Sequence, residues 1–341
     1  MADGNRRPYF IARTGREQER EAAAALSEAL GGLPLAHEQA AAYCERLEMS
    51  LTEYHKRFEA TPARLLDSER DAPPEYHDRL TVAKTFGLAI DEAAQLHPAA
   101  EPLIVHAALL APEPIPLFLF SEAREKFGEP LASMLADDGL DEAVAALRIF
   151  RLVDRETISD ERDPTMTTDC LRLHPLVREV ARSRCEGAVA NDILSDLLAS
   201  LMAVYPNDVF DDPKCWIRAR QLDVLAVTLT DDACGIRGAE LQLAYLLDRL
   251  ATYRAGALAA YPQAQELFER ALAIRERVFG LEHSDSLATL NNLGMLLRLS
   301  GKLADARSHL ERALEIRKRV FGLQHLDTAT VLNNLALVLE S

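Results

Sequence analysis

The chain has 341 residues, of which 48% are hydrophobic and 6% aromatic, so it can fill two or three cores, and its abundant Ala and Leu favour helices. The formal net charge of −16 disfavours binding to nucleic acids or to anionic membranes. No apolar run is long enough to span a bilayer or to serve as a signal peptide, which predicts a cytoplasmic protein with no membrane partner.

The first predicted elements lie between residues 16 and 60. A helical segment ends at the sequence GGLP, and a second amphipathic helix starts at Pro34, because proline suits a first helical turn. By themselves these residues predict a helical hairpin. The sequence EALGGLPLAHEQAAAYCE resembles the GLPL motif of NB-ARC domains in the STAND family of signalling ATPases. The resemblance implies that residues 1–78 form a helical subdomain of NB-ARC type, and that Pro34 packs against the adenine of a nucleotide.

The next segment, residues 79–187, has the element order of a winged-helix domain. The predicted elements are helices at Thr81–Leu96, from Glu101, at Glu122–Leu135 and at Leu140–Phe150, and a β hairpin formed by residues 151–159 and 165–174. The last helix resembles a DNA recognition helix, but it carries one basic residue against two acidic ones. Since Val144, Leu147 and Phe150 are expected to face the core, we predict a packing domain rather than a DNA-binding one.

A second motif follows the predicted hairpin. The sequence LRLHPLVREVAR resembles the MHD-type motif of the same family, in which a histidine contacts the β-phosphate of bound ADP. The matching residue is His174. The sequence departs from the motif at Pro175, which replaces the usual acidic residue and puts the orientation of the histidine in doubt. The alternative is that His174 caps the turn between a strand and a helix.

Residues 188–238, around Trp216, resemble the helical linker of bacterial STAND proteins, and a repeat follows them. The segment that starts at Ala264 matches, without a gap, the segment that starts 42 residues later at Ala306, and ERAL, RVFGL and LNNL recur in register. Apolar positions follow the helical period, and Gly280 and Gly322 are suited to end helices. The next helices are expected to open near Asp285 or Ser286, and near Asp327 or Thr328, which are good N-caps.

These repeats resemble the kinesin-light-chain type of tetratricopeptide repeat. The resemblance implies two helical hairpins, at 239–279 and 286–321, within a repeat region of residues 239–341, and an incomplete unit at 328–341. The predicted fold class is therefore mainly α: a helical subdomain, a winged helix with a small β wing, a linker and an α-solenoid. The last helix lacks a second helix over a face that carries residues among Leu332, Leu335, Val338 and Leu339. This face predicts either further repeats or self-association with another copy.

Paired asparagines mark the first helix of each repeat and are candidates for a peptide-binding groove. They are Asn291 and Asn292 in one unit, and Asn333 and Asn334 in the next. In related repeats such residues face the concave groove and bind the backbone of a peptide. The alternative is that one asparagine of each pair satisfies a carbonyl of a neighbouring helix and the other is solvated. The basic sequences RERV and RKRV, further along the repeats, are interpreted as solvated helix faces.

The motifs of known enzyme classes are missing from the sequence. There is no GxxxxGK[ST] loop to hold a triphosphate, no paired acids after an apolar strand for Mg²⁺, and no HExxH, GxSxG or GxGxxG. Five dispersed cysteines, none at CxxC spacing, predict reduced thiols and no metal site. We therefore expect no enzymatic activity and no cofactor, with ADP or ATP binding only if a separate nucleotide-binding domain is supplied.

Three functions remain open at this point. The first is the regulatory and sensor module of a STAND-type ATPase, with a protein or peptide partner in the repeat groove. The second is a free-standing tetratricopeptide adaptor or scaffold. The third, an enzyme with an unrecognised site, is the one that the sequence supports least.

Overall fold

The structure, a computed structural model, describes residues 10–11, 17–67, 81–185, 187–207, 209–210, 212–232 and 238–341. The described residues form a mainly α-helical protein with one small antiparallel sheet, as the sequence predicts. They divide into two compact units. The first contains the described residues up to Leu117 together with Glu129–Ser159 and Met166–Ala190, and the second contains Phe118–Gly128, Asp160–Thr165 and Asn191–Ser341. No helix among these ranges is long and apolar enough to cross a membrane.

The regular elements along the chain are mostly helices, and strands interrupt them at two places. The helices are α1 (Arg20–Ala29), α2 (Pro34–Arg46), α3 (Leu51–Ala60), α4 (Pro62–Leu66), α5 (Val82–Leu96), α6 (Ala100–Leu109), α7 (Phe118–Glu122), α8 (Leu131–Met134), α9 (Gly139–Ile149), α10 (Pro175–Arg182), α11 (Ala188–Val204), α12 (Lys214–Asp232), α13 (Glu240–Gly256), α14 (Tyr261–Phe279), α15 (Ser284–Leu299), α16 (Leu303–Phe321) and α17 (Leu326–Leu339). The strands are β1 (Ile115–Pro116), β2 (Val153–Ser159) and β3 (Thr167–Leu173).

The N-terminal helices of the first unit enclose an apolar core. The predicted break between α1 and α2 is present: Gly31 and Gly32 have φ of 62° and 69°, and Pro34 lies in the first turn of α2. The helix expected to start at Pro34 is present as α2, but it ends at Arg46, and the chain turns before a further helix, α3. Ser50 caps α3 by accepting a hydrogen bond from the backbone N–H of Glu53 at 3.1 Å. Buried side chains from these helices include Leu26, Leu30, Leu51, Tyr54 and Leu66.

The sheet of the first unit contains the predicted β hairpin. Strands β2 and β3 pair antiparallel, from Val153 opposite Leu173 to Ser159 opposite Thr167. The short strand β1, which the sequence did not indicate, pairs with the other edge of β3, so the order is β1-β3-β2. In α9, the helix that resembles a recognition helix, Val144 and Leu147 are buried as expected, whereas Phe150, also expected to face the core, is only half-buried at the end of the helix.

The helix expected at Glu122–Leu135 is wrong. Two short helices, α7 and α8, take its place, with a single 3₁₀ turn at Arg124–Lys126 between them. The interruption lies at Gly128-Glu129-Pro130. Glycine is a poor helix former, proline lacks a backbone N–H, and the residue before a proline avoids the helical conformation.

The second unit ends in antiparallel helical hairpins, α13 with α14 and α15 with α16, followed by α17. The two helices of the second hairpin approach closely at Gly294 of α15. A Cβ atom at this position would lie 2.7 Å from Cγ of Leu310 on α16, so the close approach requires glycine. Gly280 and Gly322 end α14 and α16 with φ of 82° and 83°, in the region that favours glycine.

The helix starts differ from the expected ones. The N-caps of α15 and α17 are His283 and His325, not the aspartate, serine or threonine residues that follow them. Nδ1 of His283 accepts from the backbone N–H of Asp285 at 3.2 Å, and the imidazole stacks on the ring of Phe279 with 4.1 Å between centroids. This stacking holds the imidazole over the first turn, which explains why histidine takes the capping position.

Candidate functional site

A groove in the second unit is the candidate functional site. The first helices of successive hairpins, α13, α15 and α17, contact one another in that order. Between them lies a cavity of about 340 Å³, largely apolar. Its lining residues are Phe210, Thr252, Ala255, Phe268, Asn291, Asn292, Met295, Leu296, Arg298, Leu299 and Asn334.

Three of the four predicted groove asparagines line this cavity. Nδ2 of Asn334 donates to Oδ1 of Asn291 at 2.9 Å, which joins α17 to α15. Asn292 lies beside Asp248 on α13, where it acts to lower the pKa of that carboxyl group. Asn333 is exposed and does not line the cavity. Asn292 and Asn334 therefore face side chains on the first helix of the preceding hairpin, rather than the backbone carbonyl that the alternative interpretation expected.

A buried charged cluster that was not predicted from the sequence supports the groove. Nη1 of Arg275, on α14, lies 3.2 Å from Oδ1 of Asp248 and also donates to the hydroxyl of Thr289, which in turn donates to Asp248 at 3.0 Å. Burial raises the pKa of Asp248, while hydrogen bonds and the charge of Arg275 act against that rise. The hydrogen bonds of the cluster link α13, α14 and α15, and the cluster lies beside Asn292.

The basic RERV and RKRV sequences are not wholly solvated, which corrects the interpretation given above. Arg275 is 7% exposed and Arg317, its equivalent in the next repeat, is 4% exposed. Nη1 of Arg317 pairs with Oδ2 of Asp327 at 3.0 Å. Arg275 pairs with Asp248 on the preceding helix α13, and Arg317 pairs with Asp327 on the following helix α17. In both repeats a carboxylate on another helix therefore compensates for burying the arginine charge.

One lining residue has an unused hydrogen-bond donor. Nε of Arg298 is buried and has no hydrogen-bond partner among the described residues. The equivalent position in the next repeat holds Glu340, so the repeat itself does not require an arginine here. A carbonyl or a carboxylate of an occupant would satisfy this donor.

The two predicted nucleotide contacts lie together in the first unit. His174 is the N-cap of α10, with Nδ1 accepting from the backbone N–H of Leu176 at 3.2 Å, the capping role that the sequence left open. Nε2 therefore carries the proton and donates to the carbonyl oxygen of Gly31, 3.2 Å away in the turn before Pro34. A Cβ atom on Gly31 would lie 2.2 Å from the imidazole, so this contact requires glycine. The nucleotide contacts of Pro34 and His174 stay predictions.

A family model described as tetratricopeptide repeat matches residues 242–319 and again residues 285–341. The chain contains tetratricopeptide repeats. The match covers α13 to α17 and agrees with the predicted α-solenoid. Tetratricopeptide repeats are typical of protein–protein interaction modules, and stacked repeats create extended concave binding surfaces. A search of curated proteins found no match.

A second apolar surface lies on α17. Leu332 and Leu339 are 39% and 62% exposed, whereas the equivalent residues of α15, Leu290 and Leu297, are 0% and 3% exposed in a helix that packs against α16. Val338, expected on the open face, is buried instead. The open face of α17 therefore carries leucines whose equivalents are buried in the preceding hairpin.

Proposed function

We propose that this chain is the regulatory and sensor module of a STAND-type signalling ATPase, and that its repeat groove binds an extended segment of a partner protein. The observation that carries the proposal is the cavity between α13, α15 and α17, with carboxamides and one unused arginine donor set among apolar side chains. Apolar side chains of a partner fill such a cavity, while the amides bind its backbone. The chain itself performs no catalysis.

The regulatory part of the proposal is supported by the first unit. The GGLP turn and the LRLHP sequence, which resemble two nucleotide-contact motifs, meet through the hydrogen bond between His174 and Gly31. A nucleotide-binding domain on a separate segment or chain would supply the phosphate-binding loop. For His174 to reach a phosphate, its Nε2 atom must exchange the Gly31 carbonyl for a phosphate oxygen. Ligands in the groove regulate such a protein only if they bind one of its two arrangements more tightly than the other.

Nucleotide measurements test this regulatory role. We expect ADP to bind the chain alone with a dissociation constant above about 1 mM, because Pro34 and His174 offer few contacts. A nucleotide-binding domain with a Walker-type loop, encoded in frame or in a neighbouring gene, should co-purify with the chain and retain ADP. His174→Ala should then release the ADP, and Arg307→Ala, a change of an exposed residue on α16, should not. A chain that binds no such domain fits the alternative, a free-standing adaptor.

Binding in the groove is tested with a phage-displayed library of random twelve-residue peptides and the full chain as target. We expect selected peptides to lose binding to Met295→Glu, which places a charge in the apolar part of the cavity, and to keep binding to the exposed variant Arg307→Ala. Arg298→Glu should change the selected sequences from acidic toward basic residues. Selection of no peptide that depends on Met295 contradicts groove binding.

The exposed face of α17 supplies a second contact in this proposal. It binds either further repeats or another copy of the chain, since leucines whose equivalents are buried on α15 are exposed on α17. Burying one leucine contributes roughly 1.5–3 kcal/mol, so two or three exposed leucines favour association.

A further inference from the structure

The groove amides repeat one geometric relation between neighbouring helices. Asn292 on α15 lies beside Asp248 on α13, one helical turn after Thr289, which donates to the same carboxylate. Asn334 on α17 donates to Asn291 on α15. Asn334 is the repeat equivalent of Asn292, 42 residues later. In each case the second asparagine of the pair turns toward the first helix of the preceding hairpin.

The chemistry of Asp248 decides how Asn292 is oriented. A carboxylate only accepts hydrogen bonds, and of the two ends of a carboxamide only the NH₂ group donates them. Arg275 and Thr289 both donate to Oδ1 of Asp248, which is the pattern of an ionised carboxylate. Nδ2 of Asn292 must therefore face Asp248, and its Oδ1 atom is left for the cavity that Asn292 lines. Nδ2 of Asn334 donates to Asn291, so Oδ1 of Asn334 is likewise left for the cavity.

We propose that Asp248 is a positioning residue of the groove: it fixes Asn292 with its oxygen toward the cavity, so that the site selects a partner segment that donates a backbone N–H there. This inference rests on the proposed peptide binding in the groove. The inference adds the direction of the hydrogen bonds: Asn292 and Asn334, on successive repeats, both accept from the partner. Helices in contact lie about 8–10 Å apart, and an extended chain advances about 3.3 Å per residue, so the two donated N–H groups are two to three residues apart.

N-methylation of a peptide tests this polarity, because it removes one backbone donor and leaves the side chains unchanged. The probe is the tightest peptide selected from the twelve-residue library, synthesised with a fluorescent label and with one N-methyl group at each backbone amide in turn. Affinities are measured by fluorescence anisotropy with the full chain. We expect two sensitive positions, two to three residues apart, each weakening binding about fivefold to tenfold, as for the loss of one hydrogen bond.

The variant Asp248→Asn then separates positioning from a structural effect. An asparagine at 248 both donates and accepts, so it no longer dictates the orientation of Asn292. We expect one of the two N-methyl sensitivities to disappear in this variant and the other, at Asn334, to remain. The matched control is Asp305→Asn, an exposed carboxylate on α16, which should keep both.

The outcomes separate this inference from the proposed function. Retention of both sensitivities in Asp248→Asn, or an equal loss of both, overturns the positioning role while groove binding stands. If Asp248→Asn does not give the circular dichroism spectrum of the parent, the double variant Asp248→Ala with Arg275→Met takes its place, because it removes the carboxylate without leaving a buried charge. It should remove the same single sensitivity. A library that gives no peptide dependent on Met295 overturns groove binding and the inference together.

Discussion

Removing Asp248 should destabilise the repeats by leaving a buried guanidinium without its carboxylate. The side chains of Asp248 and Arg275 are 18% and 9% exposed, and 3.2 Å separates Oδ1 from Nη1. Breaking a buried ion pair from one side costs about 3–5 kcal/mol. In Asp248→Ala, Arg275 keeps two neutral acceptors, the Thr289 hydroxyl and the Asp285 carbonyl, so we expect about 3 kcal/mol, the lower end of that range.

Hydrogen exchange followed by mass spectrometry localises this loss. A destabilisation of about 3 kcal/mol raises the population of the open state more than a hundredfold, so amides of α13 to α15 should exchange faster by that factor. Arg275→Met in the same chain removes the unpaired charge, and the double variant Asp248→Ala with Arg275→Met should recover most of the loss. If the double variant exchanges as fast as Asp248→Ala alone, the buried charge is not what destabilises the single variant.

Three further predictions concern a cap, a surface and a thiol. His283→Ala should lower the stability of the repeats by about 1 kcal/mol in urea unfolding, whereas His283→Asn, which keeps a capping acceptor, should lose less than half of that. Equal losses in both variants would show that the cap contributes nothing. Light scattering should show that the parent chain self-associates and that the double variant Leu332→Glu with Leu339→Glu is a monomer. A parent chain that stays monomeric at all concentrations would contradict self-association through α17. Burial raises the pKa of Cys170 to about 11, so iodoacetamide at pH 8 should modify it far more slowly than the half-buried Cys215. Comparable rates at the two cysteines would contradict this.

The repeats were predictable because their information is local and present twice. Two aligned copies show the helical period, and Gly280 and Gly322 show where the second helices end. The N-caps were missed because histidine is not a preferred capping residue. His283 and His325 take this position with their rings packed against Phe279 and Phe321, respectively. Ser50 was a missed local signal, since a glutamate follows it three residues later, as in a capping box.

The charged cluster of the groove depends on contacts that no local pattern contains. Arg275 lies 27 residues after Asp248 and on another helix, so its sequence neighbours suggested only a basic helix face. One signal was available, because Arg275 continues the apolar stripe of Phe268 and Ala271 at helical spacing. A charged residue on the buried stripe of a helix predicts a partner charge across the interface. The short strand β1 offered no comparable signal, because two residues have no period.

The two units are interleaved along the sequence, and this limits how the repeats can be isolated as a fragment. The second unit takes Phe118–Gly128 and Asp160–Thr165 from within the sequence of the first. These short segments supply Glu122, which pairs with Arg218, and Asp160, which is 7% exposed and pairs with Arg220. A fragment that begins at the linker leaves both arginines of α12 without their acids, and proteolysis within either short segment acts on both units at once. Excising the solenoid therefore yields a different protein from the one that folds within the whole chain.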